Sequence, residues 1–171
     1  MCEWLSGREW GMPLLWLLWS RGGCLERGIL AYMLGVKAAT VKRMVWGLSR
    51  VGLVEASGAR VCLTPKGAGL VEHAALAARR GRKHVVALQG LLIYVVHRDR
   101  GASARAIPCR LACSVYKAVL VGAETPAAIA KATGVASKTA SYVYKALRVL
   151  GCPGAGCMLR EACGCGIEGK E

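Results

Sequence analysis

Near the C-terminus, Cys152, Cys157, Cys163 and Cys165 crowd into one short stretch interleaved with glycine. Four thiolates so placed could close a tetrahedral zinc site or hold an iron–sulfur cluster, and the glycines would let the backbone wrap an ion. Their spacing is not a repeated CxxC pair, so disulfides or an inert tail of reduced thiols stand beside that reading. The chain has nine cysteines, and the odd count leaves at least one free or pairing between chains. Cys109 and Cys113 lie one helical turn apart and are expected to fill a core. Catalysis has no comparable candidate. His73, His84 and His97 have no acidic partner in an identifiable motif, Asp99 is the sole aspartate, and no glycine-rich phosphate loop occurs. The chain is expected not to be an enzyme.

The other chemistry on offer is charge. Lys and Arg number 24 against 10 acids, a net charge of +14 over 171 residues. Such a surplus repels itself and makes sense against a polyanion or a membrane surface. Nucleic acid is the commoner reason, because each neutralised phosphate releases counterions and strengthens binding. No stretch approaches the ~20 apolar residues that span a bilayer. The apolar run 12–19 lacks the flanks of a signal peptide and reads as a first core helix. A cytoplasmic protein without membrane contact is therefore expected. The absence of Asn and the single Gln, Gln89, fit a hyperthermophile, whose intracellular proteins tolerate disulfides.

The elements that must position these charges are written twice. At an offset of 99 positions, Gly23, Ala31, Gly35, Val36, Thr40, Leu48 and Gly52 match the same residue types at Gly122, Ala130, Gly134, Val135, Thr139, Leu147 and Gly151. One supersecondary unit used twice explains the match. The first copy predicts helices over 13–21, 25–34 and 37–50; the second predicts helices over 113–121, 125–133 and 136–150. Ala31 and Ala130 are small where two helices would cross, and Gly35 and Gly134 tolerate the positive φ of a helix-turn-helix turn. Two short β-prone runs at 53–55 and 61–63 flank a glycine-containing tip and read as a hairpin. Residues 66–80 read as a further helix ending in a basic run. Residues 84–112 read as a buried helix or as strands, with strand favoured in the second half, joining the two units as core or dimer interface.

Through Leu34-Gly35-Val36, Gly52-Leu53-Val54-Glu55 and Leu63-Thr64-Pro65-Lys66-Gly67, residues 12–80 resemble winged helix-turn-helix transcription regulators of the MarR-like and archaeal type. Residues 113–151 are similar to archaeal helix-turn-helix modules through Thr125-Pro126-Ala127-Ala128-Ile129-Ala130 and Thr133-Gly134-Val135-Ala136-Ser137-Lys138-Thr139. The resemblance implies that the second helix of each motif enters the major groove and that the wing tip follows the backbone or minor groove. It places Lys37, Ala38, Ala39, Lys42 and Arg43 against DNA, with Thr40 on a phosphate or capping the helix. Lys42 and Arg43 have the donors that guanine O6 and N7 accept. Arg60 at the wing tip and Lys66 at its closure join them. Ser137, Lys138, Thr139, Ser141 and Tyr142 hold the matching places in the second unit.

The expected fold is mainly α with a small β-hairpin wing, two tandem helix-turn-helix units. The expected segments are a winged-helix domain over 1–80, a basic linker or core segment over 81–112, a second helix-turn-helix unit over 113–151, and a cysteine-rich tail over 152–171. The expected function is a sequence-specific regulator binding double-stranded DNA as a homodimer, since such proteins read palindromic half-sites. A winged-helix interaction module in a larger assembly, and a redox- or metal-responsive switch worked by the tail, are the alternatives.

Overall fold

The computed structural model describes residues 7–165. After a short 3-10 turn over Glu9–Gly11, helix α1 (Met12–Ser20) buries Met12, Pro13, Leu14, Leu15 and Leu18. A helix apolar on nearly every side must lie inside its unit, and α1 is the one the first core is built on. Helix α2 (Arg27–Leu34) ends at Gly35, whose φ of 68° lets the chain turn left-handed before helix α3 (Ala38–Ser49). Strand β1 (Cys24–Glu26) precedes α2, and the hairpin of β2 (Val54–Ser57) and β3 (Arg60–Leu63) follows α3. These make an antiparallel three-stranded sheet in the order β1-β3-β2. Thr64 then caps helix α4 (Pro65–Val71) by accepting from the Gly67 N–H at 3.1 Å.

The helix expected over 66–80 stops at Val71. From Ala74 the chain enters an antiparallel meander of β4 (Ala74–Arg80), β5 (Lys83–Leu88), β6 (Leu91–Arg98) and β7 (Gly101–Pro108). The segment 84–112 is therefore strands plus the start of a helix. The second unit follows as α5 (Cys109–Leu120), α6 (Pro126–Thr133) and α7 (Ser137–Val149), with a short α8 (Leu159–Cys163) after it. The 99-residue offset recurs here: α6 begins at Pro126 as α2 begins at Arg27, and Gly134 closes α6 with a φ of 72° as Gly35 closes α2.

The meander separates the two copies. Val86, Leu88, Ile93 and Val95 belong to the core of the first unit. Their neighbours Val85, Ala87, Leu92 and Tyr94 point the other way, into the core of the second. Alternate residues of a strand face opposite sides, so each central strand is buried twice. The chain is thus mixed α/β, a four-stranded sheet between two helical units, and not the mainly helical tandem that the sequence suggested. The second unit carries no wing among the described residues; α8 and a loop stand in its place. No helix among the described residues is long and apolar enough to cross a membrane.

Eight cysteines form four disulfides: Cys24–Cys62, Cys109–Cys163, Cys113–Cys165 and Cys152–Cys157. The first links facing positions of β1 and β3. The next two tie the tail to the first two turns of α5, and the last closes the loop after α7. Cys2 lies outside the described residues.

Candidate nucleic-acid interface

The proposed zinc or iron–sulfur site at Cys152, Cys157, Cys163 and Cys165 is overturned by this pairing. Metal ligation needs thiolates, and each of the four sulfurs is bonded to another sulfur. Among the described residues no group of three or more His, Cys, Asp or Glu side chains could hold a metal ion. Cys109 and Cys113, expected as plain core residues, are the partners that the tail needed.

The structure places the expected DNA-facing residues of the first unit unevenly. Lys37, Ala38, Ala39, Lys42 and Arg43 are all exposed. Residues four apart share one face of a helix, so Ala38, Lys42, Trp46 and Arg50 line one stripe of α3. Trp46 is 63% exposed and the Arg50 guanidinium stacks over its ring at 4.8 Å. Thr40 is different. It is 2% exposed, and its hydroxyl donates to the Asp99 carbonyl at 3.3 Å. It therefore neither caps α3 nor meets solvent, where a phosphate would be.

That carbonyl belongs to the β6–β7 turn, which lies against one flank of α3. Arg43 Nη2 donates to the same oxygen at 2.9 Å. The Asp99 carboxylate pairs with Arg82 of the β4–β5 turn at 2.9 Å. Two hairpin tips thus meet beside α3 and bring Arg82, Arg98 and Arg100 to its edge, all three exposed. A hollow of about 230 Å³ separates Trp10 and Met44 from Arg100 and Gly101 on this flank. Gly47, unusual inside a helix, lies under Trp10; a Cβ there would stand 3.2 Å from Trp10 Cη2. Glycine at that point lets the indole close over the helix.

The wing is fixed rather than free. Arg27 Nη2 donates to the Gly58 carbonyl at the tip, and Arg60 is exposed opposite Glu26 in the β1–β3 register. Lys66 donates to the Val51 carbonyl at 2.9 Å and so secures the end of α3. In the second unit Ser137 and Lys138 are exposed, while Thr139, Ser141 and Tyr142 are half-buried. Ser141 lines a cleft between α7 and the β4–β5 hairpin.

Several residues here were not singled out from sequence. Arg79 Nη1 donates to the Met33 carbonyl, satisfying the end of α2. His84 Nε2 donates to the Leu34 carbonyl at 3.2 Å on the same helix end. His84 and His97, 5% and 2% exposed, meet edge to face with ring centroids 4.9 Å apart. Burial pushes His97 down to about 4, with His84 adding to the effect. Burial pushes His84 down to about 4 as well, against the Leu34 hydrogen bond and helped by the Arg79 charge. These groups sit under the basic edge and dock the first unit onto the sheet. The legible signal was the run Arg79-Arg80-Gly81-Arg82-Lys83, whose central glycine marks a hairpin turn as well as it marks a helix end.

A scan against protein-family models finds no match, and searches of the curated proteins and of the solved structures find none either.

Proposed function

We propose that the protein binds double-stranded DNA and that α3 is its recognition helix, acting as a sequence-specific regulator of transcription. The observation that carries this reading is the outward stripe Ala38, Lys42, Trp46 and Arg50, flanked by Lys37, Arg43 and the arginines of two hairpin tips. Small residues at the start of the stripe let the helix approach base edges. Lys42 and Arg43 supply donors for guanine, and the surrounding cations suit phosphates. Asp99 is the one acid of these turns, and Arg82 already neutralises it. A homodimer reading two half-sites fits a single recognition helix per chain. Ser141, Lys145 and Arg148 of α7 line a cleft against the β4–β5 hairpin while Ser137 and Lys138 stay exposed, so α7 is the weaker of the two candidate reading heads.

The test is retention of random duplex in a mobility-shift assay over a salt series, followed by selection of bound sequences. Affinity should fall steeply with salt. The double change Lys42→Ala, Arg43→Ala should weaken the selected site by about tenfold or more with an unchanged circular dichroism spectrum. No retention at about 50 mM salt, or equal affinity in the double variant, would sink the reading.

A further inference from the structure

The cleft between α7 and the β4–β5 hairpin has no place in the function just proposed, and its lining is one-sided. Arg80 and Lys83 face each other across the last pair of the β4–β5 ladder. Lys145 and Arg148, one helical turn apart on α7, form the opposite wall. No acid lines the cleft. The ion pairs among the described residues are His73–Glu72 and Arg82–Asp99, so none of the four cations is neutralised by a carboxylate. All four are exposed. Between them lies a space of about 410 Å³, with Tyr144 and Pro126 contributing apolar surface.

The sequence holds Arg80 and Lys83 more than sixty positions from Lys145 and Arg148. Only the packing of α7 on β4 and β5 brings the pairs together. Four like charges converging on one concavity repel one another unless an anion sits between them. The volume falls within the range of small-ligand sites, about 300–1,000 Å³. Tyr144, half-buried against the second core, lines the cleft and supplies aromatic surface that a base can contact.

We propose that this cleft binds the phosphates of a nucleotide-sized ligand, with Arg80, Lys83, Lys145 and Arg148 as phosphate-binding residues and Tyr144 against the base. Guanidinium groups of Arg80 and Arg148 can each hold two phosphate oxygens; the two lysines act as point charges. The phosphates can come from a free nucleoside triphosphate or from a nucleotide within a DNA strand. The proposal does not depend on α3 being a recognition helix.

Calorimetric titration of the full-length, oxidised chain tests it, using inorganic triphosphate, ATP and a random duplex at about 150 mM salt. Triphosphate and ATP should bind with one site per chain, ATP more tightly. The double change Lys145→Ala, Arg148→Ala should weaken both by about tenfold or more. Lys117→Ala with Lys131→Ala removes the same charge from exposed positions outside the cleft and should leave both affinities within about twofold. Tyr144→Leu should abolish the advantage of ATP over triphosphate and leave triphosphate binding in place. Equal weakening by the two charge pairs would show a diffuse effect of net charge and overturn the proposal. So would failure of triphosphate and ATP to bind. If duplex displaces ATP, the source is a DNA strand; if both bind at once, it is a free nucleotide. A chain that takes up ATP but retains no duplex defeats the function proposed for α3 and leaves the cleft standing; the reverse defeats the cleft.

Discussion

His84 and His97 make acid stability the most quantitative consequence of this structure. Both imidazoles are neutral in the folded chain, held at about 4 against an ordinary 6.5. Once unfolded, each takes up a proton as the pH drops below 6.5. Between pH 6.5 and 4 the unfolded state therefore binds more protons than the native state, and stability falls as pH falls. At pH 5 an unfolded histidine is almost wholly charged while the native one is about one-tenth charged. The difference is about 2 kcal/mol for each group, or about 4 kcal/mol for the pair. That is a large part of a typical domain's stability of about 5–15 kcal/mol. The perturbation is a change from pH 7 to pH 5 in the wild type and in His97→Leu, followed by guanidinium unfolding with the disulfides intact. Neither ring nitrogen of His97 has a hydrogen-bond partner, so leucine breaks no hydrogen bond at pH 7, and only the ring contact with His84 is lost. The wild type should lose about 4 kcal/mol on acidification, and the variant about 2 kcal/mol. Carboxylates titrate in both chains and cancel in the comparison. Equal losses in the two chains would show that His97 is charged in the native state, and the account of the buried pair would be wrong.

Three further outcomes follow from the packing. Gly67→Ala should lower stability by about 2–3 kcal/mol, read as a fall in Tm, because a Cβ there overlaps the Leu53 carbonyl oxygen and presses on Leu63. Cys109→Ala with Cys163→Ala should shift the guanidinium midpoint by the equivalent of only about 2 kcal/mol, since Cys113–Cys165 still closes nearly the same loop and the lost bridge adds only the small ring between the two. The same variant should keep its duplex affinity, because this bridge lies in the core on the far side of the sheet from α3; a parallel loss would show that the tail governs α3. Arg79→Ala should cost about 1–2 kcal/mol by stripping the donor from the Met33 carbonyl, and amide exchange should quicken at the end of α2 before it quickens in β6.

The helical units were legible because their punctuation is local. Gly35 and Gly134 stop one helix and open a turn whatever surrounds them, and the apolar spacing of Val41, Met44, Val45 and Leu48 is a property of α3 alone. The meander was not legible for a reason that its own residues show. A strand with one wet face alternates polar and apolar residues. Val85 to Leu88 and Leu92 to Val95 are apolar on both faces because a helical unit covers each, so the alternation disappears and the run reads equally as a buried helix. The pieces 74–80 and 66–71 were fused into one helix because alanine and glycine are ambiguous between the two states. The disulfides were hidden in another way, since connectivity is not encoded in cysteine spacing.

For the candidate interface the division runs through individual residues. Lys42 and Arg43 could be placed on the outer side of α3 from periodicity, and the excess of cations from composition. That Thr40 turns inward depends on a hairpin 59 residues away delivering the Asp99 carbonyl to it. The convergence of Arg80 and Lys83 with Lys145 and Arg148 likewise depends on α7 packing over β4 and β5. By itself the sequence determined the helices of the two repeated units and that one motif occurs twice, because hydrogen bonds within a helix and the φ of a glycine are local matters. Only the tertiary structure decided that a sheet stands between the two copies and which charges share a cleft, because burial and electrostatic convergence are set by neighbours distant in the chain.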